Sequence, residues 1–328
     1  MFLSTFLIAA IVLVWPANQS RNSNVLSRPK ENTTLLAPST VCNPNTVNSS
    51  NATNSDQDLV LLVIICSAMS NFQERQTIRD SWASESTSPP QTKVIFLLGT
   101  IGNLTNDLQT NVTRESDEHD DILQEDFIDS YANLTVKSLM LLKWFSQSCK
   151  NVPYVLKTDD DVYINLKNLH ALVTKNKKTN LLMGTLICGA TPIRDPYNKW
   201  FSPKYMYGKK RYPNYLSGTA YLMSRSITST LYEAALDTPV FHMEDIFITG
   251  ILAQSIGVRP EDNVGFSYIK RRATPCLYVQ TISSHHLSMG EMKDMYKKVN
   301  EKQGKCTPLK KKFLRTYGPG RCTWVQPK

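Results

Sequence analysis

Three adjacent carboxylates, Asp159, Asp160 and Asp161, interrupt the stretch YVLKTDDDVYIN between an apolar run and a return to apolar and aromatic residues. Like charges side by side repel, so the cluster costs stability unless a divalent cation sits among them. Three chemistries use such a cluster. An EF-hand loop counted from Asp159 needs Gly at its sixth position and Glu at its twelfth, where the chain has Ile164 and His170, so that reading fails. A phosphotransfer aspartate follows an apolar strand in a D-x-D-x-T/V pattern; Tyr163 stands at the fifth position here, which leaves phosphoryl chemistry a weak competitor. The third use is a D-x-D pair, Asp159 and Asp161, holding a divalent ion against a diphosphate.

Other residues of chemical interest lie far from that cluster along the chain. Glu244 and Asp245 follow an apolar stretch and open the helix-like segment IFITGILAQSIGV, where a carboxylate suits either proton transfer or plain capping of a helix N-terminus. In RQTIRDSW, Ile78 and Trp82 form an apolar stripe and Arg75 and Arg79 a basic one, the latter suited equally to ion pairing and to nucleotide contact. Gly184 and Gly218 fit close approach of backbone to a ligand, or serve turns alone. Trp200 in RDPYNKW offers a stacking face for a sugar ring or a packing residue.

The elements that must position these groups are legible as apolar runs. LVLLVIIC, KVIFLLGT, YVLKT and NLLMGT alternate with helix-like stretches such as NLTVKSLMLLKWFSQSC, which predicts a mainly parallel sheet covered by helices. In open sheets of this kind ligands sit beyond the carboxyl ends of the strands, which is where the triple aspartate falls.

With 328 residues, 41% of them hydrophobic, the chain has ample material for a buried core. The net charge of +9 is concentrated in KKVNEKQGKCTPLKKKFLR, without interleaved aromatics, so a solvated basic face is expected and nucleic acid is not. Residues 1–15, MFLSTFLIAAIVLVW, read as a short signal-anchor in preference to a cleaved signal peptide, giving attachment to a membrane. Residues 16–57, rich in Asn, Ser, Thr and Pro, read as a flexible, glycosylated stem. Sequons begin at Asn18, Asn32, Asn48, Asn51, Asn103, Asn111 and Asn133, the last doubling as a helix-cap candidate. Seven cysteines, an odd number, leave at least one free or intermolecular, so a homodimer through an unpaired cysteine is an expected partner. No C-x-x-C pair points to zinc, and Cys66 in LVLLVIIC reads as a buried thiol.

Seven ordered blocks carry a resemblance: RQTIRDSW, FLLG, EDFIDSYANLTVKSL, KTDDDVYIN, YPNYLSGTAYLMS, MEDIFITG and SSHHLS. In order and spacing the chain resembles the β1,3-galactosyltransferase and β1,3-N-acetylglucosaminyltransferase family of animal type II membrane enzymes. The resemblance implies a GT-A-type, Rossmann-like α/β fold, a mixed, mainly parallel sheet flanked by helices in a single catalytic domain over residues 58–328. It implies an inverting hexosyltransferase moving galactose or N-acetylglucosamine from a UDP-sugar to the 3-hydroxyl of a glycan on glycoprotein or glycolipid, with Mn2+ as cofactor. Asp159, Asp161 and His285 are then the metal ligands, His286 a bystander on the opposite face, and Asp245 the general base. Arg75, Arg79, Lys157, Asp159, Asp160 and Gly218 line the donor; Trp200, Tyr215 and Glu244 meet the acceptor. The implied address is the Golgi membrane, single-pass type II, with the catalytic domain lumenal. Where relatives carry two cysteines this chain has Leu216 and Leu252, which are expected to touch. A catalytically silent glycan-binding homologue and a lumenal metal-dependent phosphohydrolase using Asp159 remain as alternatives.

Overall fold

The computed structural model describes residues 33–42, 59–87, 92–102, 106–176, 178–272, 274–302 and 306–307. The expected anchor, most of the expected stem and the sequons at Asn18, Asn32, Asn48, Asn51 and Asn103 lie outside the described residues. No helix among the described residues is long and apolar enough to cross a membrane.

The chain first forms β1 (Thr34–Leu36) and β2 (Leu61–Cys66), then α1 (Phe72–Arg79), β3 (Thr92–Thr100), α2 (Asn106–His119), β4 (Ile122–Ile128) and α3 (Leu134–Ser148). It continues through β5 (Tyr154–Asp159), β6 (Tyr163–Ile164), α4 (Leu166–Lys175), β7 (Leu182–Ile187), β8 (Tyr215–Ser224) and α5 (Arg225–Leu236). A π-helical segment (Ile246–Leu252) leads into α6 (Ala253–Ser255), followed by β9 (Glu261–Asp262), α7 (Pro275–Tyr278), β10 (Ser283–Ser284) and α8 (Met289–Lys302).

Eight strands hydrogen-bond in the order β1-β4-β3-β2-β5-β8-β7-β9. The pairs β2–β3, β2–β5 and β3–β4 are parallel, whereas β5–β8 and β7–β8 are antiparallel, so the sheet is mixed and Rossmann-like at its centre. β2 shows why it sits in the middle. All six of its residues are buried, and their alternation sends Leu62 and Ile64 into one core and Leu61, Val63 and Ile65 into the other. A strand buried on both faces needs an unbroken apolar run rather than an alternating one. Leu216 and Leu252 are both fully buried in the first of these cores, and the Leu216 amide donates to Thr249 Oγ1 at 2.8 Å, one turn before Leu252.

The expectation of an unfolded stem through residue 57 is corrected for residues 33–42. β1 pairs antiparallel with β4, closing that edge of the sheet. Thr33 and Thr34 donate to the two carboxylate oxygens of buried Glu125 at 2.5 and 2.7 Å, and Lys143 donates to Thr33 Oγ1 at 2.8 Å. A disulfide, Cys42–Cys149, then ties the segment to the end of α3. These long-range partners compensate for the segment's low apolar content, which by itself read as unstructured.

Cys276 pairs with Cys306, and Cys188 is also disulfide-bonded. Among the described residues the free thiol is Cys66, buried in β2, so it cannot supply the expected intermolecular bond between two copies. Its surroundings push its pKa up to about 12 through burial, so it is also a poor nucleophile. Asn111 lies exposed on α2, whereas the Asn133 side chain donates to the Ile128 carbonyl at 2.8 Å and makes no capping bond to α3.

Candidate active site

β5 carries Lys157 and Asp159 on one side of the strand and delivers the aspartates to its carboxyl end. Lys157 is almost wholly buried. Its Nζ donates to Asp159 Oδ1 at 2.7 Å and to the Gly218 carbonyl at 2.6 Å, and lies 3.9 Å from Glu244 Oε2. Burial opposes its charge, but Asp159 and Glu244 hold it protonated, with its pKa raised. Lys157 is therefore the internal counter-charge of the acidic cluster, which corrects its expected place in contact with a donor. For Asp159, burial dominates and raises the carboxyl pKa against the pull of Lys157.

Asp160 turns back onto the loop after β2, where its Oδ2 accepts from Ser67 Oγ at 2.7 Å and Asn71 Nδ2 at 2.9 Å. The same loop is held from behind by Arg75, which is fully buried, grips the Glu115 carboxylate with two nitrogens, and donates to the carbonyls of Ala68 at 2.5 Å and Met69 at 3.1 Å. Arg79 pairs with Asp121 through two 2.8 Å bonds and reaches Glu115 at 2.8 Å. Neither arginine is free to hold a nucleotide, as had been expected of both. A buried guanidinium needs an anionic partner within the fold, and Glu115 and Asp121 provide it.

Asp161 faces the opposite way. β10 pairs with β6 so that Ser284 lies opposite Tyr163, and the Leu287 amide donates to the Asp161 carbonyl at 3.2 Å, which fixes the intervening histidines over the carboxylate. His285 Nε2 is 3.1 Å from Asp161 Oδ2, while its Nδ1 is 2.9 Å from the Tyr268 carbonyl. Donation of Nδ1–H to that carbonyl orients the ring with Nε2 towards Asp161, where it donates to the carboxylate when protonated and would present its lone pair to a bound metal. Burial raises the Asp161 carboxyl pKa, but the His285 hydrogen bond and charge outweigh it and the net shift is downward. His286 stands on the same side, not the opposite one: its Nδ1 is 3.5 Å from Asp161 Oδ2 and its ring stacks on His285 at 3.7 Å. Asp161, His285 and His286 each offer one ligand atom, and these atoms all lie within 4.8 Å of one another. One carboxylate and two imidazoles suit a divalent first-row ion. Asp159 is not among this trio; its Oδ1 accepts from Lys157.

Asp245 sits at the start of the π-helical segment, a feature common at functional sites. Its Oδ1 accepts from the Ile246 amide at 2.8 Å and its Oδ2 from the Gly218 amide at 3.3 Å. Burial, reinforced by the neighbouring charge of Glu244, pushes the carboxyl up to about 7. Glu244 points inward: it is 7% exposed, and its Oε1 accepts from the buried Tyr221 hydroxyl. That corrects its expected contact with an acceptor.

Gly218 explains how the strand and the acidic pair approach so closely. A Cβ there would lie 3.0 Å from Glu244 Oε2 and 3.3 Å from Asp245 Cβ. Gly218→Ala is expected to displace Asp245, lowering kcat/KM at least about 10-fold while costing about 1–3 kcal/mol of stability. Steady-state kinetics and denaturant unfolding on the variant check both numbers.

Tyr215 is buried against Gly250, close enough to Asp245 for that charge to add to burial in raising its pKa. Trp200, by contrast, is half exposed on the long connection between β7 and β8, with Lys199 Nζ 4.6 Å above its ring. Tyr197 and Tyr205 flank it at 97% and 86% exposure, and Arg194 pins the connection by donating to the carbonyls of Ser202 and Tyr207. Ser67, Asn71 and the Tyr268 carbonyl complete the site without any sequence motif of their own, and Tyr221 from within YPNYLSGTAYLMS joins them. Each is a common residue type whose role comes from a partner far along the chain.

The Galactosyltransferase family model matches residues 73–264, spanning the triple aspartate and the Glu244–Asp245 pair. Beta-1,3-galactosyltransferase 1 of Homo sapiens and of Mus musculus are each 34% identical over 247 residues, covering 74% of this chain and 74% of theirs. Beta-1,3-galactosyltransferase 5 of Homo sapiens is 32% identical over 255 residues, covering 76% of this chain and 81% of its own.

Proposed function

Because the chain belongs to the galactosyltransferase family and is a glycosyltransferase, we propose that it transfers galactose or N-acetylglucosamine from a UDP-sugar to the 3-hydroxyl of an acceptor glycan, with inversion. The observation that carries this reading is the bridge made by Lys157, whose Nζ touches both Asp159 and the Gly218 carbonyl. Through it, the cation-binding end of β5 and the Asp245 segment behind β8 form one site. Asp161 and His285, with Asp159 beside them, would hold a divalent ion such as Mn2+. Bound there, such an ion would supply neutralisation of the negative charge that develops on a departing diphosphate.

The protein's own groups do the rest. Asp245 accepts the proton of the attacking hydroxyl. Two backbone N–H donors fix its carboxylate, and a pKa near 7 makes it basic enough to take a proton while ionised for much of the time near neutral pH. Burial, with Glu244 adding to it, keeps that pKa high, and Lys157 limits the repulsion among the carboxylates. The exposed Trp200 and Tyr197 offer aromatic faces for the acceptor sugar. With base and leaving group on opposite sides of the anomeric carbon, displacement is in line and an α-linked donor gives a β-linked product. The acceptor is a glycan of a glycoprotein or glycolipid, and the setting is the Golgi lumen, with residues 1–15 as a type II anchor.

The purified full-length chain, incubated with UDP-galactose or UDP-N-acetylglucosamine, Mn2+ and a panel of β-linked acceptors, is expected to release UDP only when acceptor is present. Release of inorganic phosphate instead points to a phosphohydrolase. Glycan binding without UDP release with any donor points to a silent homologue.

A further inference from the structure

We infer that His286 is itself a ligand of the cation site, making it a two-imidazole, one-carboxylate centre that favours later first-row ions such as Co2+ and Zn2+ over Mn2+ more strongly than an oxygen-rich D-x-D site would. The inference rests on the proposed cation site and adds to it a ligand and a metal preference.

Three linked observations carry it. His286 has φ of +60°, one of three non-glycine residues with positive φ among those described. A side chain in that left-handed conformation is strained in a way that a glycine would not be. The consequence of that backbone turn is that two consecutive side chains, which in an extended strand would point to opposite faces, lie on one side. Their rings stack at 3.7 Å, and both direct a nitrogen at the same carboxylate oxygen, Asp161 Oδ2, at 3.1 and 3.5 Å. Two ligands at right angles around an ion, each bonded at about 2.1 Å, are about 3 Å apart, so these spacings match the edges of a coordination polyhedron. Finally, the His286 ring is 69% exposed, open to an arriving ion, whereas His285 is locked from behind by the Tyr268 carbonyl.

The chemistry follows from the donor set. Carboxylate and carbonyl oxygens suit Mg2+ and Mn2+, whereas each added imidazole strengthens binding along the series from Mn2+ towards Co2+, Ni2+ and Zn2+. A second imidazole should therefore steepen that series in this protein.

The test uses the full-length chain stripped of metal with a chelator. Co2+ binding is followed by its visible absorption, and Mn2+ binding by the loss of the free-ion electron-spin resonance signal. Two variants are compared with the parent, His286→Gly, which relieves the backbone conformation, and Asp161→Asn, which removes the central carboxylate. His286→Gly is expected to keep the parent's thermal midpoint or raise it, to bind Co2+ about 10–100-fold more weakly, and to shift the Co2+ spectrum. Mn2+ affinity should fall less, narrowing the Co2+ to Mn2+ ratio. Parent-like Co2+ affinity and spectrum in His286→Gly would overturn the inference while leaving the cation site standing. Parent-like binding of both ions in Asp161→Asn would instead overturn the cation site itself, and this inference with it.

Discussion

Asp245→Asn should slow transfer by about 10²–10⁴-fold, the usual worth of a positioned general base. The replacement keeps the size of the side chain, and its oxygen still accepts from the Ile246 amide, so loss of proton acceptance is the dominant change. UDP affinity in the presence of the cation should stay near that of the parent, because the Asp161–His285–His286 group is untouched. A plain capping role predicts the reverse, a lowered thermal midpoint with turnover retained.

The pH dependence separates the two roles further. The Asp245 carboxyl is raised to about 7 in the folded protein, against about 3.9 in an unfolded chain. Between those values the folded state binds the extra proton. Its contribution to stability is fully present below about pH 4 and is lost as pH rises through about 7. Asn does not titrate, so the stability of the parent relative to Asp245→Asn should fall between pH 4 and 8, by about 2 kcal/mol once partial solvent screening is allowed for. For the parent, kcat/KM should rise with pH to a plateau above about 7, and that limb should vanish in the variant. Urea unfolding at several pH values and a pH–rate profile on the same preparations provide the check. A flat stability difference together with an unchanged pH–rate limb would remove Asp245 from the role of base.

Asp161→Asn carries the second large effect. The carboxylate is the one group that both histidines face, and its ionised form is favoured by His285, so a neutral amide weakens the whole donor set. Charge neutralisation of a departing diphosphate is worth several kcal/mol, so transfer should drop by about 10³-fold or more. Folding should survive. The residue is partly exposed, the Leu287 amide bonds its backbone carbonyl rather than its side chain, and removing one of three adjacent carboxylates relieves repulsion. Calorimetric titration with Mn2+, turnover with and without EDTA, and the thermal midpoint of the metal-free protein together test this. Full turnover of the parent in excess EDTA would sink the cation's role.

Much of this protein was legible one segment at a time. LLVIIC became a strand buried on both faces, as an unbroken apolar run requires, and the aspartates ended the neighbouring strand at the carboxyl edge of the sheet. RQTIR formed a helix with Ile78 buried as its stripe predicted. The charged residues were less predictable. Arg75, Lys157 and Glu244 have the types expected of substrate contacts, yet each is buried against an internal partner, Glu115, Asp159 and Tyr221 respectively.

The amino-acid sequence by itself determined the alternating elements, the central strands and the position of the carboxylates at a strand end, because burial periodicity is set by near neighbours along the chain. Tertiary structure alone decided which charges are neutralised inside the fold and which face the site, that residues 33–42 join the sheet edge, and that His286 shares a side with His285. The reason is physical: a charged side chain is stabilised by whatever opposite charge or dipole lies within a few ångströms, and several of those partners are distant along the chain, as for Arg75 with Glu115 and Lys143 with Thr33.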